Sequence, residues 1–210
     1  MLNQDLNNIG EKINESLLAK HQAREKALPL SRKSIRCCAN AIRSIHRAEY
    51  DNAGDLLNQS HCYLQELRTA LVDHPGLMHA GYVNDAHKEY AEGRITLALV
   101  TDTSIPGPDE LDIGYAAYLN GMAEAASEMR RQLLDRIREG NFELAETQLA
   151  SMDEIYNLLI TIDFPDALTG GLRRTTDQLR GVLEKSRGDL TMALAQSKLE
   201  RKLDSFKKRF

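Results

Sequence analysis

The sequence contains no tryptophan, five prolines and three cysteines in 210 residues, and aromatic side chains make up 5% of it. Proline this scarce leaves long helices uninterrupted, and apolar content carried by Leu, Ala, Ile and Met favours helices over a sandwich or barrel. The cysteines Cys37, Cys38 and Cys62 have no CxxC spacing, and an adjacent pair bridges only with strain, so neither a disulfide framework nor a zinc ribbon is expected. A reducing cytoplasm is the expected setting. No run approaches the about 18 apolar residues of a membrane span, and the opening MLNQDLNNIGEKINESLLAKHQ is amphipathic and mixed in charge, so neither export nor membrane insertion is expected. A net charge of -4 with 28% charged residues excludes a uniformly basic coat, which leaves a local basic patch as the way to hold a polyanion. The length suits one compact domain over residues 1–210.

What is present is helical periodicity. Leu2, Leu6, Ile9, Ile13 and Leu17 recur at spacings of four and three, the seam of a long helix that needs a partner. That helix is expected to end or kink at Pro29, with a second from Ser31 to about Arg47 and a third from Asp51 to Val72, before the breaker DHPG. A fourth fits Tyr82 to Val100. The loop DTSIPGPDELD precedes a fifth, from Glu110 to Glu139, and a sixth runs from Phe142 to Asp163. A last helix starts near Leu172 and reaches the basic end KLERKLDSFKKRF, where the tail is expected to fray. Nothing alternates as a strand does. The expected fold is all-α, an antiparallel bundle of six or seven long helices.

Two pairs of carboxylates stand out. Glu89 and Glu92 are three apart and Glu124 and Glu128 four apart, so each pair points to one side of its helix. On the fifth helix Tyr115, Met122, Ala126, Met129 and Leu133 form an apolar stripe, while Glu124 and Glu128 lie opposite, in line with the small Ala117 and Gly121. Small neighbours permit close helix approach, and carboxylates drawn together repel unless protonated or bound to cations. Clustered oxygens of this kind suit Mg²⁺ or Mn²⁺. Glutamates at this spacing are also common on solvated helices, so spacing alone leaves both readings open. No histidine follows a Glu by three residues, which disfavours a di-iron bundle. His46, His61 and His87 have no evident Ser or Cys partner and read as surface or core-edge residues.

Arg32, Arg36, Arg43 and Arg47 fall within about 60° of one another on a helix, a basic ridge able to grip phosphates without reading bases. The alternative is that these arginines pair with nearby carboxylates. Arg173 and Arg174 and the terminal Lys198, Arg201, Lys202, Lys207, Lys208 and Arg209 are further candidates.

Four segments carry a family resemblance: REKALPLSRKSIRCCANAIRSIHR, KEYAEG (Lys88 to Gly93), AYLNGMAEAASEMRR (Ala117 to Arg131) and MDEIYNLLITIDFPDAL. Together they resemble the translin and TRAX family, over most of the chain. The resemblance implies an all-helical protomer that assembles into a hollow, typically octameric shell binding single-stranded RNA or DNA. TRAX-type subunits use acidic residues to bind Mg²⁺ and cut RNA, whereas translin-type subunits bind nucleic acid and lack much of that set. KEYAEG resembles the TRAX pattern and supplies Glu89 and Glu92. The second segment supplies Glu124, where TRAX is acidic and translin apolar, and Glu128, where both have Glu. One departure is Glu124 itself, since the TRAX pattern carries Asp there.

The expected function is therefore a Mg²⁺-dependent endoribonuclease acting on single-stranded RNA, with Glu89, Glu92, Glu124 and Glu128 holding the metal and the arginine ridge holding the strand. A non-catalytic single-strand-binding shell and a protein-interacting bundle are the alternatives. Enclosure is expected to admit a single strand and largely exclude a stiff duplex.

Overall fold

A computed structural model describes residues 2–207, with side chains from Asn3 onward. Within that span the chain forms six long helices and three single helical turns, with no strand among the described residues. They are α1 (Leu2–Ile45), α2 (Tyr50–Leu71), α3 (Pro75–Met78), α4 (Gly81–Thr101), α5 (Pro108–Leu111), α6 (Tyr115–Arg138), α7 (Phe142–Leu159), α8 (Asp166–Thr169) and α9 (Leu172–Lys207). The expected all-α bundle is what forms. No helix is long and apolar enough to cross a membrane.

α6 is the central helix, packed against α4 on one side and against α7 and α9 on others, while α4 leans on α1 and α2. The stripe Met122, Ala126, Met129 and Leu133 is buried, and truncating a side chain such as Leu133 removes about 2–5 kcal/mol of packing. Polar ties join the layers: Arg130 of α6 donates to Asp189 of α9 at 2.6 Å, and Arg187 of α9 to Asp153 of α7 at 2.5 Å.

Three expectations are corrected. Pro29 does not end the helix: α1 runs through it from Leu2 to Ile45. Proline removes the N–H that would bond the Glu25 carbonyl, but Pro29 and Glu25 lie on the exposed side, where water satisfies that carbonyl. The opposite side, with Ala23, Ala27, Ser31 and Ser34, is buried and carries the helix across the missing bond. Second, the helix expected from Glu110 is broken. Asp112 takes a left-handed conformation, φ 54°, which ends α5 and seats Leu111 and Ile113 in the core, and α6 begins afresh at Tyr115. Tyr115 consequently leaves the apolar stripe and is 64% exposed. Third, the C-terminal segment is helical and exposed through Lys207 rather than frayed. Lys208 and Arg209 lie outside the described residues.

The first five turns of α1 project without cover. Leu6, Ile9, Ile13 and Leu17 are each more than half exposed, as are Met192, Leu199 and Leu203 on α9. The side chain of Leu2, also assigned to that seam, lies outside the described part.

Candidate functional site

The site begins with a missing side chain. At Gly121 a Cβ would sit 2.6 Å from the Lys88 carbonyl oxygen, 2.7 Å from the Ala91 Cβ and 3.0 Å from the Glu92 nitrogen. Only glycine lets α6 approach α4 this closely, and the carboxylates on either side of the crossing are brought together. Oxygens of Glu89, Glu92 and Glu124 all lie within 4.8 Å of one another, each residue half-buried.

Glu128, the fourth member expected from the sequence, stands one turn away and is engaged elsewhere. Its carboxylate accepts a hydrogen bond from His46 Nε2 at 2.6 Å, just beyond the end of α1. The other imidazole nitrogen, Nδ1, is buried without a partner among the described residues. A cation already lies in the cluster: Lys88 Nζ donates to Glu124 at 2.8 Å and lies 3.9 Å from Glu89.

Crowding has an electrostatic consequence. Burial first, then the charges of Glu124, Glu89 and Glu128, push the Glu92 carboxyl up to about 8, with Lys88 opposing. Glu89 is also raised, chiefly by burial, against the pull of Lys88 and with Glu124 and Asp85 adding to the rise. For Lys88, burial works downward but is outweighed by the hydrogen bond to Glu124 and the charges of Glu124, Glu89 and Glu92, so the ammonium is held above its usual range. Near neutral pH Glu92 therefore keeps its proton and Lys88 its charge. One lysine and one proton offset three carboxylates. The donor set fits a small hard divalent ion: three convergent oxygens, one still protonated for want of positive charge.

Sequence reasoning assigns no role to Lys88 and places His46 at the surface or core edge. Lys88 adjoins Glu89 in KEYAEG, and its role depends on how near α6 comes. His46 is separated from Glu128 by 82 residues, a pairing that helical spacing cannot reveal.

The arginine ridge keeps three of its four members on α1. Arg32, Arg36 and Arg43 are exposed along α1 and have no carboxylate partner among the described residues; Arg43 donates to Asn40 at 2.9 Å. Arg47 falls past the helix end at Ile45 and folds back on Glu49 with two hydrogen bonds of 2.8 Å. The ridge thus extends over three arginines, with the fourth neutralised.

No family model matches the sequence. The chain is 32% identical over 189 residues to the uncharacterized protein MJ0175 of Methanocaldococcus jannaschii, an overlap of 89% of this chain and 83% of that one. Among solved structures it resembles AfC3PO, from Archaeoglobus, in a complex with duplex RNA, at a TM-score of 0.82 and 30% identity over 89% of this chain and 96% of that one. The fold is also that of apo-NeC3PO, from Nematostella, at a TM-score of 0.74 and 20% identity over 90% and 96% of the two chains. A helical bundle with carboxylates meeting across two central helices is the class of protein these features define. The chain belongs to the translin/TRAX family.

Proposed function

We propose that the protein binds RNA and cleaves it as a metal-dependent endoribonuclease, with Mg²⁺ or Mn²⁺ held by Glu89, Glu92 and Glu124 and with Glu128 supporting that set. The observation that carries the reading is the convergence of three carboxylates at the Gly121 crossing. Such an ion, when bound, makes water a nucleophile at neutral pH and offsets charge on the phosphoryl oxygens. The chain's own part is to orient and to discharge. Glu92 would hold the ion as a carboxylate, its proton passing to solvent, and His46 fixes the rotamer of Glu128 beside the cluster. The unpaired Arg32, Arg36 and Arg43 hold phosphates along α1. Binding of RNA is supported by the duplex RNA bound to AfC3PO.

Several finer points belong to the same proposal. The uncovered seams of α1 and α9 suit a closed homo-oligomer, and an octamer is the expected number, with single-stranded RNA or DNA admitted to its interior. The three thiols, all free, suit a reducing cytoplasm. A second reading is a non-catalytic binding shell. It is favoured by Lys88, whose ammonium already neutralises Glu124 and needs no metal to do so.

End-labelled unstructured RNA, and the same strand in a duplex, incubated with Mg²⁺ or with EDTA, separates the two. Cleavage that needs the metal, is faster on the single strand and leaves 5′-phosphate and 3′-hydroxyl ends is expected. Absence of cleavage in every condition moves the assignment to the binding shell. Cyclic phosphate ends remove the metal-water route.

A further inference from the structure

A cavity of about 430 Å³ opens beside the carboxylate cluster, between α4, α6 and the start of α9, and shares Lys88 and Glu124 with it. Its volume lies in the range of about 300–1,000 Å³ usual for small-ligand sites. The far wall is the turn into α9, where Gly170 and Gly171 take positive φ values of 61° and 85°. Asn120 locks that turn to α6: its amide donates to the carbonyls of Ala116 and Thr169 at 2.8 Å, and its oxygen accepts from Thr175 at 2.6 Å. The wall is thus rigid, and the hydrogen bonds of Asn120 are spent on holding it. Arg174 and Gln178 also line the cavity, both exposed and neither with an ion pair or hydrogen bond among the described residues. A cationic fork and an amide face a cavity whose other end is the cluster proposed to hold the metal.

Resting on the endoribonuclease reading, we infer that this cavity is a nucleotide subsite, which takes the RNA residue flanking the cut, with Arg174 gripping its phosphate and Gln178 its ribose or base edge. Lys88 joins Arg174. Its ammonium, bonded to Glu124 on the wall shared with the cluster, adds a second positive charge to the cavity. Arg174 suits this task because its planar fork meets two phosphate oxygens at once. Position by this subsite, rather than by the phosphate contacts along α1, sets which bond lies over the carboxylates. Arg174 is a positioning residue in this scheme.

The test uses the full-length protein with an unstructured, end-labelled RNA, and compares Arg174→Ala, Arg174→Lys, Arg180→Ala at an exposed arginine further along α9 that does not line the cavity, and Ala116→Leu, which fills the cavity without changing charge. RNA affinity is measured in EDTA by fluorescence anisotropy, cleavage with Mg²⁺, and Mn²⁺ binding by paramagnetic resonance. For Arg174→Ala the expected result is about tenfold weaker RNA binding, a KM raised by a similar factor with a smaller change in kcat, and Mn²⁺ binding unchanged. Arg174→Lys recovers part of the affinity, Ala116→Leu behaves like Arg174→Ala, and Arg180→Ala behaves like wild type. RNA binding by Arg174→Ala equal to wild type overturns the subsite, as does an equal loss in Arg180→Ala. The subsite and the catalytic reading fail separately. If wild type cuts nothing while Arg174→Ala and Ala116→Leu still weaken RNA binding, the cavity binds RNA and the nuclease assignment falls. If wild type cuts and both variants match it, the nuclease stands and the subsite falls.

Discussion

Two sets of charges stand out by the same helical arithmetic, and the fold treats them in opposite ways. The glutamates of α4 and α6 are drawn to a buried crossing, where oxygens from three of them lie within 4.8 Å and perturb one another. The arginines of α1 stay strung along an exposed face, each solvated or locally paired. Like charges at the surface are screened and change little; like charges at a crossing made tight by Gly121 must take up a proton, a lysine or a metal. Periodicity says which residues share a face. Whether that face is buried against another of the same sign decides between chemistry and solvation.

The comparison is broken most directly at Glu124, the residue that touches both the cluster and Lys88. Glu124→Ala is expected to remove a metal ligand, which contributes several kcal/mol of transition-state stabilisation, and so to lower Mg²⁺-dependent cleavage by at least about a hundredfold. RNA affinity in EDTA is expected to stay within about twofold, since phosphate contacts supply that affinity. Cleavage assays and anisotropy on one preparation check both halves. A mutant that cuts as well as wild type ends the comparison in favour of two solvated surfaces.

The pH dependence of stability sharpens it. Glu92 and Glu89 have folded-state values above the unfolded value of about 4.3, so the folded protein binds more protons than the unfolded one. Their contribution is therefore fully present below about pH 4 and is lost as pH rises through the Glu92 value of about 8. In EDTA the melting temperature is expected to fall between pH 5 and 8.5, a window covering about those values, and Glu92→Gln to flatten the fall. If Mg²⁺ binds at Glu92 as proposed it displaces that proton, so its stabilising effect is expected to grow over the same window. A wild-type melting temperature that rises with pH in EDTA contradicts the buried cluster.

Gly121→Ala tests the crossing with no change of charge. Alanine adds up to about 1 kcal/mol of helix propensity, but its Cβ meets the Lys88 carbonyl oxygen at 2.6 Å and α4 must move. Overpacking of this kind costs about 1–3 kcal/mol, and the separated carboxylates lose cooperation in binding Mg²⁺. Gly54 in α2 has open space where its Cβ would be, so Gly54→Ala is expected to stabilise by about 0.4–1 kcal/mol. Opposite shifts in the melting temperatures of these two variants mark the crossing as a special position.

How much of this is legible in the sequence varies with the range of the cause. The long helices follow from short-range spacing, and so does the sharing of a face by Glu89 and Glu92. Gly121 is visible as a small residue in line with Glu124, and that is the signal for close approach. What stays hidden depends on the packing partner. Pro29 breaks helices as a local rule, yet its face here is solvent, and the buried face of α1 carries the helix through. The break at Asp112 arises because Leu111 and Ile113 both reach the core, which a continuous helix does not allow. His46 enters the site only when the chain just beyond α1 reaches Glu128 of α6.

The smallest effect is expected at the ridge, where it separates phosphate binding from fold stability. Arg36 and Arg43 have no carboxylate partner among the described residues, so Arg36→Glu with Arg43→Glu breaks no ion pair and is expected to change unfolding stability by no more than about 0.5 kcal/mol. RNA affinity is expected to fall alike for all sequences, because these two arginines would grip phosphates, which are the same in every strand. The slope of log K against log salt is expected to flatten by about 0.7 for each phosphate no longer neutralised on a single strand. Arg47→Ala serves as the internal contrast, since its guanidinium is already bound to Glu49 and has little charge to offer a strand. Salt titrations of the double mutant, Arg47→Ala and wild type on two unrelated RNAs decide the point. A double mutant that keeps the wild-type salt slope, or loses affinity for only one of the RNAs, removes the ridge from the binding surface and leaves the α4–α6 crossing as the sole place where these charges work.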